Sequence, residues 1–146
     1  MLPGGHPAFG RLASSQALLA QARRDFPVAK TAADQAVAIA GANTLDYLPL
    51  VLLRRSNLEL QMHFLEEARA DAAKALGLWQ QTLEPGSLSS AVGRCYLALG
   101  RALQGQGQPG EARAAFASAL EHLQPTLGAD HPETQDARNL LSFKHG

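Results

Sequence analysis

Tyr96-Leu97-Ala98-Leu99-Gly100-Arg101-Ala102-Leu103, followed by Gly107, Glu111-Ala112, Phe116 and Ala119, decides the fold of this chain. Apolar residues recur three and four apart, at Leu99 and Leu103 and then at Ala112, Ala115, Phe116, Ala119, Leu120 and Leu123, so each set shares one face of a helix. Gly105-Gln106-Gly107-Gln108-Pro109-Gly110 separates the two runs. Pro109 suits the first turn of a second helix, where its missing N–H would have had no partner. Small residues at Gly100, Ala112 and Ala119 let the two helices approach at the short end of the ~8–10 Å axial range. Tyr96, Leu99, Leu103 and Phe116 are large enough to fill the space between successive helix pairs.

The same pattern recurs upstream. Arg54-Arg55-Ser56-Asn57-Leu58-Glu59-Leu60-Gln61-Met62 is followed by Glu67-Ala68 and a trailing Ala75-Leu76. It departs from the first copy by Ser56 for the glycine, His63 for the turn glycine and Ala72 for the phenylalanine. A fainter copy runs from Ala17 to Ala22, then Phe26, Ala29, Ala33 and Ala36. The aligned Ala29, Ala68 and Ala112 stand 39 and 44 residues apart. The spacing predicts helices over 8–23, 27–40, 45–62, 65–82, 88–104, 109–124 and 133–144. Pro27 fits a helix start. Pro49 sits awkwardly inside the third helix and would be accommodated by a start near Leu48. Ser87 is placed to cap the fifth helix, and Asp130 or His131 the last, with Glu133 at its positive end. Strand-like alternation is absent, so the chain reads as all-α.

Composition narrows the function. The chain has 146 residues, 18% of them charged, with a formal net charge of +0. No global field draws it to nucleic acid or to an anionic membrane. One cysteine, Cys95, excludes an internal disulfide and a cysteine zinc cage. No apolar run reaches the ~20 residues that span a bilayer. Met1-Leu2-Pro3-Gly4-Gly5-His6-Pro7 has neither the charged nor the apolar region of a secretory signal. A cytoplasmic location is expected, with no cofactor.

The aromatic, Leu-Gly, large apolar, Gly, Ala, Phe, Ala order across two helices resembles the tetratricopeptide repeat. Tyr96 stands where that family often has Trp, and Leu103 where it often has Tyr. The spacing exceeds its common unit of roughly 34 residues. Leu127-Gly128-Ala129-Asp130-His131-Pro132-Glu133-Thr134, followed by Asn139-Leu140, is similar to the opening of the kinesin-light-chain subtype, whose unit is about 42 residues. Gly5-His6-Pro7 reads as a degraded echo of it.

The resemblance implies a right-handed α-α superhelix in a single domain spanning 1–146, with repeats at 7–43, 44–84 and 86–127 and a terminal helix over 132–144. Phe143 would close its core while Lys144 and His145 meet solvent. It also implies a protein-interaction scaffold, not an enzyme, with the partner in a concave groove lined by first helices. By alignment these present Arg54, Asn57, Leu60 and Gln61, then Arg94, Leu97, Arg101 and Gln104, then Arg138 and Asn139. Arginine forks grip carboxylates and asparagine amides pair with peptide backbone, so an extended, acidic peptide is the expected occupant. The carboxylate clamp of some family members is incomplete here, with only Asn57 and Arg101 at matching places and Ser14, Leu18 and Leu97 at others. Ala-rich open ends would allow end-to-end stacking into a homodimer. The rival readings are a C-terminal regulatory segment of a larger signalling enzyme and a small-molecule or nucleic-acid binder.

No catalytic set or metal site emerges. His6, His63, His122, His131 and His145 are scattered beyond ligand spacing. Glu66-Glu67 supports a helix N-terminus. Cys95 projects to a partly buried position beside Tyr96, which suits packing rather than nucleophilic attack. The Gly105–Gly110 segment lacks the strand and Lys-Ser/Thr of a phosphate loop. Trp79 is expected to plug the junction between the second and third repeats.

Overall fold

A computed structural model describes residues 6–43 and 46–142, and among them it shows seven α-helices and no strand. These are α1 (Pro7–Ala22), α2 (Phe26–Ala42), α3 (Leu48–Gln61), α4 (Leu65–Thr82), α5 (Ser90–Gly105), α6 (Pro109–Leu127) and α7 (Pro132–Ser142). Pro27 and Pro109 lie in first turns as expected. Pro49 does too, because α3 begins at Leu48 rather than at 45. Ser89, not Ser87, caps α5: its hydroxyl accepts from Val92 N, and its own N–H donates to His122 Nδ1 on α6 at 3.1 Å. α6 runs to Leu127, three residues beyond the expected end, and carries Pro125 in its last turn. The expected last residues of the terminal helix, with Phe143, Lys144 and His145, lie outside the described residues, as does Gly5.

The His-Pro signals share a physical cause. His131 Nδ1 accepts the backbone N–H of Glu133 at 3.1 Å, and His6 Nδ1 accepts that of Ala8 at 3.1 Å. Each imidazole satisfies one of the N–H groups that a helix start leaves without an internal partner.

The three pairs α1–α2, α3–α4 and α5–α6 keep a common register. Three residues form the turn in every case, and the middle one adopts a left-handed conformation: Arg24 (φ 60°), His63 (φ 61°) and Gly107 (φ 75°). Only the third turn uses glycine, the residue with no steric penalty there. Each helix packs chiefly on its neighbours in sequence, and α3 also touches α1 and α5. First helices therefore line one surface of a right-handed superhelix.

The core is continuous along that stack. Ala13, Ala17, Ala20, Ala29, Ala33 and Ala36 from the first pair meet Val51 and Leu58. Leu52, Leu53, Ala72, Ala75 and Leu76 meet Val92, Cys95 and Ala98, with Trp79 packed at that junction as expected. Leu97, Leu103, Phe116, Ala119 and Leu123 meet Ala137 of α7.

Within a pair, contact distance is set by matched small and large residues. A Cβ added to Gly100 would lie 2.5 Å from the Phe116 ring. The corresponding residues of the second pair are Ser56 and Ala72, both fully buried, with Ser56 Oγ donating to Ala68 O at 2.7 Å. The two departures from the repeat pattern are thus coupled: the larger residue on α3 faces the smaller one on α4. Gly100→Ser should destabilise by about 1–3 kcal/mol through overpacking, and Phe116→Ala by about 3–5 kcal/mol through the cavity it leaves. In the double variant, urea unfolding should give a loss at least about 1 kcal/mol smaller than the sum.

Candidate functional site

Four first helices contribute to one cavity of about 400 Å3 on the inner surface. Gln21 of α1, Asn57, Leu60 and Gln61 of α3, Arg94, Leu97, Ala98 and Arg101 of α5, and Glu133 and Asp136 of α7 form its walls. The helical spacing explains the set. Asn57, Leu60 and Gln61 are three and four apart, as are Arg94, Leu97, Ala98 and Arg101, so each helix presents one stripe.

The structure brings together only part of the set expected from the sequence. Asn57, Gln61, Arg94, Leu97 and Arg101 line the cavity, together with Leu60. Arg54, Gln104, Arg138 and Asn139 do not. Arg54 donates to Ser14 Oγ on α1 at 2.9 Å. Arg138 turns away to Gln124 Oε1 on α6 at 3.3 Å. Gln104 and Asn139 are not among the walls. On α7 the cavity is lined by Glu133 and Asp136, while Ala137, one turn beyond Glu133, is buried against α6.

The residues not foreseen change the electrostatics. Glu133 accepts from Arg94 Nε at 2.6 Å, and Asp136 from Arg101 at 3.1 Å. Gln21 and Gln61 are hydrogen-bonded to each other across the α1–α3 gap. The two arginines expected to hold an acidic ligand are therefore already matched by two carboxylates of α7, and the groove is balanced in charge. All four groups remain open to solvent, so each pair contributes only ~0.2–1 kcal/mol and can exchange partners.

The family model for the tetratricopeptide repeat matches residues 47–124, more than half of the sequence. The chain belongs to that family. Solved tetratricopeptide structures share the fold. The TPR domain of Arabidopsis OM64 is 20% identical with a TM-score of 0.68, over 91% of this chain and 93% of that one. A Podosopora anserina protein described as a putative kinesin light chain with nearly identical TPR-like repeats is 21% identical with a TM-score of 0.75, over 97% and 67%. A variant of that same protein gives 20% and 0.77 over the same shares. This likeness is one of fold, and it is the fold expected of the kinesin-light-chain-like repeat. No curated protein matches the sequence.

The most perturbed titratable groups of this tetratricopeptide domain lie away from the groove. Arg55 grips Asp71 with two bonds, at 2.6 and 2.8 Å, and reaches Asp34 at 3.3 Å. Glu59 is buried beside them, with Lys30 Nζ 3.6 Å from one oxygen and no hydrogen bond to the other. Burial, and then the neighbouring Asp71 carboxylate, push the Glu59 carboxyl from its ordinary 4.5 up to about 8, against the pull of Arg55 and Lys30. Burial raises Asp71, but hydrogen bonds from Arg55 and from the Glu59 carboxyl, with the charges of Arg55 and Lys30, together hold it below its usual value. In the register of the third pair these positions hold Leu99, Leu103 and Ala115, so the cluster is a polar version of a core layer. Cys95, expected to be partly buried, is fully buried, and burial raises its thiol to about 12, which leaves no thiolate for chemistry.

Glu59 is neutral in the fold where the unfolded chain would be ionised. The folded state then binds the extra proton, and stability falls as pH rises from about 4.5 to about 8, levelling above that. In Glu59→Gln, thermal unfolding followed across that range should lose most of the downward slope and exceed the parent most clearly above pH 8. For the groove, Glu133→Gln/Asp136→Asn should unmask both arginines. A fluorescent glutamate-rich peptide should then bind up to about tenfold tighter than to the parent, and added salt should remove the gain.

Proposed function

We propose that this tetratricopeptide domain is a non-catalytic scaffold that holds an extended peptide segment of another protein in the α1–α3–α5–α7 groove. The family supports the general role, since its repeats serve as protein-interaction scaffolds. The observation that carries the groove assignment is that Asn57, Gln61, Arg94, Leu97 and Arg101, from different repeats, converge on one cavity. Amides at Gln21, Asn57 and Gln61 can pair with both C=O and N–H of a bound backbone. Leu60, Leu97 and Ala98 offer an apolar floor.

Charge refines the partner. Two arginines and two carboxylates favour a peptide of mixed polarity whose own carboxylate exchanges with Glu133 or Asp136, rather than a strongly acidic one. The same balance disfavours nucleic acid, which needs unpaired cations. A free buried thiol at Cys95 fits the reducing environment of the cytoplasm.

The test is retention of proteins from native lysate by the parent chain, by Asn57→Ala/Gln61→Ala/Arg101→Ala and by Asn139→Ala, all checked for unchanged helical content. The groove reading expects a partner held by the parent and by Asn139→Ala, and lost from the triple variant. Equal retention by all three would move the site off the groove.

A further inference from the structure

The common register of the helix pairs picks out a second surface. A residue of the first pair corresponds to one 39 positions later in the second and to one a further 44 later in the third, as the turns at Arg24, His63 and Gly107 show. Leu12 thus corresponds to Val51 and Cys95, and Leu19 to Leu58 and Ala102. Val51, Cys95, Leu58 and Ala102 are 3%, 0%, 1% and 0% exposed, whereas Leu12 and Leu19 are both 52% exposed.

What covers the equivalent positions is known from within the chain. Val51 packs with Ala36 and Ala40, and Leu58 with Ala29 and Ala33, all from α2. Cys95 packs with Ala72, Ala75 and Leu76 of α4. In both cases the cover is the second helix of the preceding pair, presenting small residues at three- and four-residue spacing. Leu12 and Leu19, seven apart on α1, share one face. Beside Leu19 opens a groove of about 640 Å3 whose walls include Ala20, Val28 and Ala32. Val28, 53% exposed, stands where the other pairs carry Glu67 and Glu111, so the uncovered pair is the more apolar one there.

We infer that the α1–α2 face bearing Leu12, Leu19 and Val28 docks an amphipathic helix of a partner protein, one whose contacting side is a row of alanines spaced as on α2. This surface continues the interface that already joins the pairs. A second folded copy is a poor occupant, because its own alanine rows on α2 and α4 are buried beneath α3 and α5. Arg23 and Asp25 both border the groove, so its rim is balanced and recognition rests on shape and apolar contact.

The probe is a fluorescein-labelled peptide with the sequence of residues 25–43, titrated with the full chain and read by anisotropy. Saturable binding is expected, weakened at least about tenfold by Leu12→Ser/Leu19→Ser and retained by Leu18→Ser and by the groove variant Asn57→Ala/Gln61→Ala. A peptide carrying Ala36→Glu should not bind, which tests the surface without altering the chain. No binding to the parent, or binding indifferent to Leu12→Ser/Leu19→Ser, overturns the inference. A parent dimer in sedimentation that the same double variant disperses also overturns it, and assigns the face to self-association.

Discussion

Everything in this molecule depends on how closely the two helices of a pair can approach. At the tightest points neither backbone carries more than a methyl or a hydroxymethyl group: Ala29, Ala68 and Ala112 at the starts of second helices, and Ala17, Ser56 and Gly100 opposite them. None of these residues contributes much apolar area, so their effect is geometric. They fix the separation, and with it the register that brings Phe116 over Gly100 and Leu123 over Gly93. Because the pairs share one register, the second helix of one presents its small residues to the first helix of the next. Stacking follows, and the core becomes continuous through neighbours that could not bury their apolar sides alone.

Variation between repeats is tolerated where it is compensated locally. Gly100 with Phe116, Ser56 with Ala72 and Ala17 with Ala33 are the three occupants of one pair of equivalent positions. The Arg55, Glu59 and Asp71 cluster is a bolder case, replacing an apolar layer by charges that must satisfy one another in a poorly hydrated seam. Arg55 and Asp71 do so through two short bonds. Glu59 does not, and the protein accommodates it by keeping the carboxyl neutral, a lower cost than an unmatched buried anion. Such a layer contributes little net stability compared with its apolar counterpart. It does tie α2, α3 and α4 together at defined points.

The legible and illegible parts of the sequence divide along contact range. Helix positions, the turn at each pair and the order of the repeats follow from neighbours within one or two turns, so spacing alone reveals them. Pro49 shows how local that information is, since it points to the true start of α3 at Leu48 even though the apolar pattern suggests an earlier one. The stripe of Asn57 and Gln61 and that of Arg94, Leu97 and Arg101 are equally readable, because each lies on a single helix. Which stripes face one another depends on the pitch of the superhelix. The pairing of Arg94 with Glu133 joins residues 39 apart, and no local pattern announces it. The partner of Arg138 is equally non-local: the guanidinium donates to Gln124 of α6, a contact between repeats.

The phase of α7 also sets the charge of the proposed groove. α7 is held by two demands on adjacent faces, the burial of Ala137 and Thr134 and the pairing of Glu133 and Asp136. The apolar contact is the stronger of the two, since the ion pairs are solvent-exposed and individually weak. In the proposed binding mode the helix would keep its position as a peptide took the arginines, and its freed carboxylates would stay beside that peptide. A bound segment with one carboxylate next to a cationic or amide group would find complementary partners for both. One with carboxylates alone would face the displaced acids at close range. On the proposed reading, selectivity would be set less by the arginines that the sequence advertises than by a helix positioned through a neighbouring face.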